Sequence, residues 1–96
     1  MPEARGKVPG RRGGRRVTFY GLSTCVWCRR TRELLEKEQV GFDYVYLDLL
    51  QGAEREEALA ALRRWNTRVT YPTLVVDDER CVVGFVPEEI REVLEL

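Results

Sequence analysis

Two cysteines stand three residues apart in the run Ser23-Thr24-Cys25-Val26-Trp27-Cys28. Thiols at this spacing do one of two kinds of chemistry: they exchange electrons with disulfides, or they hold a metal. The whole chain of 96 residues has three cysteines and no histidine. The missing imidazole removes Cys-His and Ser-His nucleophilic catalysis, histidine general bases and every zinc site that needs a histidine. A ribbon of four cysteines would need a second C-x-x-C, and Cys81 stands alone. A dimer sharing one metal between two pairs stays open as an alternative. An odd cysteine count with two thiols close together is not a disulfide framework, and it points to a reducing, cytoplasmic compartment.

The elements around the pair decide what it can do. Arg16-Val17-Thr18-Phe19-Tyr20 is a β-branched and aromatic run closed by Gly21, the pattern of a strand. Ser23-Thr24 supply capping side chains, and Cys25 to about Gln39 is expected as a helix with Leu34 and Leu35 on its inner face. Cys25 would then sit beside the unpaired N–H groups and positive dipole end of that helix, which favour a thiolate. Cys28 lies one turn further in, placed to attack a mixed disulfide formed on Cys25. Accidental core cysteines would not leave one sulfur at a helix start, so redox chemistry is the leading reading.

Further along, Asp43–Asp48 is a second strand, and Ala58, Leu59, Leu62 and Trp65 have helical spacing over about Glu54–Trp65, with Asn66 as the stop. Thr73–Val76 and Cys81–Val83 are short apolar runs joined by Asp77-Asp78-Glu79-Arg80, a hairpin. Pro87-Glu88-Glu89 opens a last helix striped by Ile90, Val93 and Leu94. The order β-α-β-α-β-β-α predicts a single α/β domain with a four-stranded mixed sheet flanked by helices. Its first two strands are parallel and its last two antiparallel.

The formal charge of zero hides two unlike parts. Residues 1–16 carry Arg5, Lys7, Arg11, Arg12, Arg15 and Arg16 against Glu3 alone, and the body is acidic. Residues 1–15, rich in Gly and Arg and without hydrophobic periodicity, are expected as a flexible basic tail before a domain at 16–96. A basic arm for nucleic acid is the sharper alternative, but no aromatic residue is interleaved for base stacking. Arg15-Arg16 is followed by no sufficiently apolar stretch, so neither an export signal nor a membrane span is expected.

From Val17 to Leu96 the chain resembles the glutaredoxin family of the thioredoxin superfamily. The resemblance rests on Val17-Thr18-Phe19-Tyr20 with Cys25-Val26-Trp27-Cys28, on Thr70-Tyr71-Pro72-Thr73-Leu74, and on Gly84-Phe85 before the last helix. It implies a thioredoxin-like fold and a dithiol oxidoreductase reducing protein or small-molecule disulfides, with Cys25 as nucleophile and Cys28 as resolving thiol. It also implies a cis Pro72 facing the active site and a substrate-docking backbone at Tyr71. Trp27, Thr70, Gly84 and Phe85 complete the implied substrate face.

Two departures bear on the electron source. Leu22-Ser23-Thr24 precede Cys25 where glutathione-binding members commonly carry a basic residue, and Gly84-Phe85-Val86-Pro87-Glu88 replaces their Gly-Gly-acid segment. The latter run resembles redoxins that serve ribonucleotide reductase and are recharged by thioredoxin reductase. The implied partners are thus disulfide-bearing proteins and a reductase, thioredoxin reductase being favoured over glutathione. No cofactor beyond the Cys25–Cys28 disulfide is expected, and a monomer is. A metal or iron–sulfur carrier and a non-catalytic docking module using Tyr71-Pro72 are the other classes.

Bland readings suit the remaining chemistry-bearing residues. Cys81 is expected as a small buried apolar side chain. Trp65 and Tyr44 are expected at the core or its edge, and Arg29, Arg30 and Arg32 on a solvated helix face.

Overall fold

The computed structural model describes residues 3–12 and 14–96. Its strands and helices are β1 (Arg5–Val8), β2 (Val17–Gly21), α1 (Val26–Lys37), β3 (Phe42–Tyr46), α2 (Gly52–Arg63), β4 (Thr73–Val76), β5 (Arg80–Val83) and α3 (Pro87–Leu94). A 3-10 turn, Leu47–Leu49, joins β3 to α2. The sheet order is β1-β3-β2-β4-β5. Strands β2 and β3 are parallel across α1, while β2–β4 and β4–β5 are antiparallel, as the connection lengths require.

Alternation along the strands sends successive side chains to opposite faces. On one face Val17 and Phe19 of β2 and Phe42, Tyr44 and Tyr46 of β3 pack with Leu34 and Leu35 of α1 and Ile90 and Leu94 of α3. On the other, Tyr20 and Val45 pack against Leu47, Leu50, Ala58 and Leu62 around α2. The result is a three-layer α/β/α sandwich of the thioredoxin-like glutaredoxin type. Phe19, Leu35, Leu62 and Ile90 are wholly buried, each contributing about 1.5–3 kcal/mol of transfer free energy. Among the described residues no helix is long and apolar enough to cross a membrane.

The sheet has five strands rather than the four expected, because Arg5–Val8, assigned by composition to a flexible tail, adds antiparallel to the outer edge of β3. Exposed and half-buried positions alternate along β1 and none is fully buried, so no apolar run marks the strand in the sequence. Gly6 within it and Gly10 just after it are packing residues. A Cβ at Gly6 would lie 2.7 Å from the Tyr44 hydroxyl, and one at Gly10 would lie 2.5 Å from the Gln39 carbonyl oxygen. Three of the arginines that follow, Arg12, Arg15 and Arg16, are engaged by the chain itself. Arg12 donates its N–H and its Nε to the Gln39 and Glu38 carbonyls at 2.9 and 2.8 Å. Arg15 and Arg16 pair with Asp77 and Asp78 at 3.1 and 2.7 Å. Met1, Pro2 and Gly13 of the expected tail lie outside the described residues.

Asp77 and Asp78 both adopt left-handed backbone conformations, with φ of 56° and 52°. That is the geometry of a tight hairpin turn matched to strand twist. Two helix ends differ from expectation. Helix α1 ends at Lys37 rather than about Gln39, the chain turning at a left-handed Gln39 (φ 61°), and α2 begins at Gly52 and ends at Arg63 rather than Trp65. Trp65 and Asn66 cap that end by donating their N–H groups to the Leu62 carbonyl.

Candidate active site

The chain reverses from β2 into α1 over Leu22–Thr24, and this turn places both thiols. Cys25 has extended backbone (φ −85°, ψ 124°) and is itself the N-cap of α1, its sulfur accepting the Cys28 N–H at 3.2 Å. Neither Ser23 nor Thr24 caps the helix as the sequence suggested. Ser23 instead turns away, its N–H donating to Asp48 Oδ1 at 2.9 Å and its hydroxyl donating to Asp48 Oδ2. The Cys25 N–H donates to the Leu22 carbonyl at 3.2 Å, and the Leu22 N–H donates to the Cys28 sulfur at 3.5 Å.

The two sulfurs occupy different surroundings. Cys25 is half-buried, whereas Cys28 is 1 % exposed and belongs to the core against Gly21 and its neighbours. Burial, then the hydrogen bond to Cys25, push the Cys28 thiol up to about 12, against a downward pull from the Leu22 N–H. Cys28 is thus the thiol that resists ionisation.

The other candidate residues converge through one loop pair. Tyr71–Pro72 is a cis peptide bond. The Pro72 carbonyl accepts the Gly84 N–H at 2.8 Å. Gly84 has a φ of +88°, a conformation that favours glycine. Phe85, next in the chain, stacks on Trp27 with ring centroids 5.8 Å apart and planes 21° from parallel. The Arg30 guanidinium lies 5.6 Å from the Trp27 ring centroid. Trp27 is 56 % exposed and Val26 54 %, so the rim of the motif is an apolar surface open to solvent. Tyr71 is half-buried and touches both core clusters, and burial raises its phenol above the ordinary value.

Thr70 is held inward. Its hydroxyl and carbonyl both accept from the Asn66 amide, at 2.9 and 3.3 Å, and its carbonyl also accepts the Thr73 hydroxyl at 2.9 Å. Asn66, read from sequence only as a helix stop, is a buried brace beneath the Thr70–Thr73 loop, reaching Thr73 Oγ1 at 3.1 Å as well. Asp48 is the second residue that sequence reasoning missed. Burial pushes its carboxyl up, but the two Ser23 hydrogen bonds, with its own backbone N–H and the Arg55 charge, together hold it below the usual range. A polar residue just after a strand that pairs in parallel with β2 was the available signal. Cys81 stands apart in β5, its thiol 3.6 Å from the Trp65 carbonyl.

This arrangement can take an electrophilic sulfur on an accessible thiol, with a second thiol buried one helical turn behind it. Comparison with known proteins agrees in kind. The Glutaredoxin family model matches residues 17–81. The crystal structure of the glutaredoxin from Methanosarcina mazei Go1 is 45% identical, covers 98% of this chain and 90% of its own, and superposes with a TM-score of 0.87. Methanoredoxin from Methanosarcina acetivorans is 43% identical, with coverages of 84% and 85% and a TM-score of 0.81. The glutaredoxin-like NrdH-redoxin from Escherichia coli, whose activity profile is described as thioredoxin-like, is 27% identical, with coverages of 80% and 92% and a TM-score of 0.65.

Proposed function

The chain belongs to the glutaredoxin family, and from that premise we propose that it is a dithiol oxidoreductase in which Cys25 attacks disulfides and Cys28 resolves them. The observation that carries this reading is the contrast in burial between two sulfurs on one helical turn. Cys25 meets the substrate, and its attack forms a mixed disulfide while one substrate thiolate leaves. Cys28 then loses its proton and attacks the Cys25 sulfur, forming the internal disulfide and releasing the second thiolate. In the mixed disulfide the hydrogen bond and charge of Cys25 no longer hold Cys28 protonated, and burial and the Asp48 charge are what remain against its ionisation. Resolution is thereby tied to prior attack.

Substrate docking on this reading uses the Tyr71 backbone beside Pro72, with the Trp27–Phe85 stack as the apolar flank. Recharging by a thioredoxin-reductase-type protein is favoured over glutathione. No basic side chain stands in Leu22–Thr24, and the glycine of the later segment is followed by the stacked Phe85. The likeness to NrdH-redoxin supports the same choice.

The test is trapping. Cys25→Ser should lower disulfide reductase turnover by about three orders of magnitude or more, and Cys28→Ser should accumulate a substrate adduct on Cys25, identified by peptide mass mapping. An adduct on Cys28, or full activity of Cys25→Ser, refutes the assignment of roles. Recycling with glutathione and its reductase, compared against thioredoxin reductase, decides the electron source.

A further inference from the structure

The turn from Leu22 to Thr24 carries contacts to both cysteines, and it is held from outside the cysteine motif. Leu22 donates to the Cys28 sulfur at 3.5 Å and accepts the Cys25 N–H at 3.2 Å. The adjoining Ser23 is gripped by Asp48, which takes its N–H on one carboxylate oxygen and its hydroxyl on the other. Asp48 lies in the 3-10 turn after β3, the parallel neighbour of β2, so the two strand ends are cross-tied just beyond the sheet. A carboxylate with one donor on each oxygen fixes the position and the orientation of the donating residue together.

We propose that Asp48 is a positioning residue for the resolving step: by gripping Ser23 it keeps the Leu22 N–H on the sulfur of Cys28 as that sulfur becomes a nucleophile. This rests on the dithiol reading above. In the step concerned, the Cys28 thiol gives up its proton and the resulting thiolate attacks Cys25 of the mixed disulfide. A Cys25–Cys28 bond forms, the bond from Cys25 to the substrate sulfur breaks, and the departing thiolate takes up a proton. Over both steps the substrate disulfide gains two electrons and the cysteine pair loses two. A thiolate emerging in an apolar pocket needs a donor, and the Leu22 N–H is the backbone donor within reach.

A role through charge alone makes the opposite prediction. The negative carboxylate of Asp48 opposes ionisation of Cys28, so its removal would then speed resolution. The geometric role predicts slowing.

An aromatic disulfide with a chromophoric thiolate, 5,5′-dithiobis(2-nitrobenzoate), separates the steps, because first attack and resolution each release one coloured equivalent. In the full-length reduced protein, Asp48→Ala is expected to slow the second release about five- to ten-fold and leave the first within about two-fold of wild type. Ser23→Ala, which deletes only the hydroxyl, should move the second release in the same direction and less, and the double variant should be no slower than Asp48→Ala. Amide hydrogen exchange at Leu22 should accelerate in Asp48→Ala, independently of turnover. A second release that is unchanged or faster in both single variants overturns the proposal, as does equal slowing of both releases. Failure of the underlying dithiol reading has its own signature: wild-type protein would show no second release.

Discussion

The two ends of the central strand β2 are built on opposite rules. At its N-terminal end, polar groups are satisfied within the chain: Arg15 and Arg16 meet Asp77 and Asp78, Arg12 meets the carbonyls at the end of α1, and Gly10 lies against the backbone of residues 39–41. At its C-terminal end, groups are left facing outward. Cys25 is half-buried with its sulfur on a helix N-terminus, and Val26 and Trp27 are more than half exposed. The lesson is a division of labour along one strand. Ion pairs and backbone contacts at the first end tie together the strands whose other end carries the exposed cysteine motif.

The comparison can be pressed first through Cys28, the one thiol at the open end that is closed off. Burial and its contacts with Cys25 push this thiol up to about 12, so far less of it is thiolate at neutral pH than of an ordinary cysteine. The thiolate is the reacting form, so alkylation of Cys28 in reduced protein should keep accelerating as pH rises and reach half its plateau near 12. In Cys25→Ala the hydrogen bond and the charge from Cys25 are gone, so the midpoint should fall, with burial still holding it up. Mass-resolved alkylation across pH measures both. A midpoint at the ordinary value in wild type would mean that the two cysteines do not differ as described.

A smaller effect is expected at the closed end. Gly10→Val puts a branched side chain against backbone atoms that cannot yield, at a cost of about 2–3 kcal/mol in chemical denaturation. The specific activity of the folded fraction should be unchanged, since Gly10 lies at the opposite end of the sheet from the cysteines. Lost specific activity without lost stability would break the division between the ends. The smallest change in stability is expected for Trp27→Ala, under about 1 kcal/mol for a half-exposed ring. Its effect should appear as a KM for protein disulfides raised about three- to ten-fold with kcat little altered, measured by steady-state kinetics.

Legibility followed the range of the interactions. The cysteine pair, the strand before it and the helix after it could be read because all lie within one β-α unit and carry their own periodicity. The β4–β5 hairpin was equally legible, with two aspartates suited to left-handed turn positions between apolar runs. Strand β1 could not be read. Its Gly6 answers to Tyr44, Gly10 just after it to residues 39–41, and Arg15 and Arg16 to residues beyond 70, so locally the segment has the composition of a linker. Asn66 was legible as a helix stop, but its amide's three oxygen contacts depend on how the Thr70–Thr73 loop folds back over it.

By itself, the sequence picked out the candidate pair and the frame that carries it. Two thiols three apart, with no histidine anywhere and a strand-to-helix junction between them, define the candidate redox pair, because spacing and helix polarity are properties of adjacent residues. Only the tertiary structure decided how unlike those thiols are. The burial of Cys28, the grip of Asp48 on Ser23 from 25 residues away and the stacking of Phe85 on Trp27 all arise where segments distant in sequence come to one sheet end. Desolvation and hydrogen bonding depend on what surrounds a group in space, and for Cys28 that surrounding is assembled by the fold.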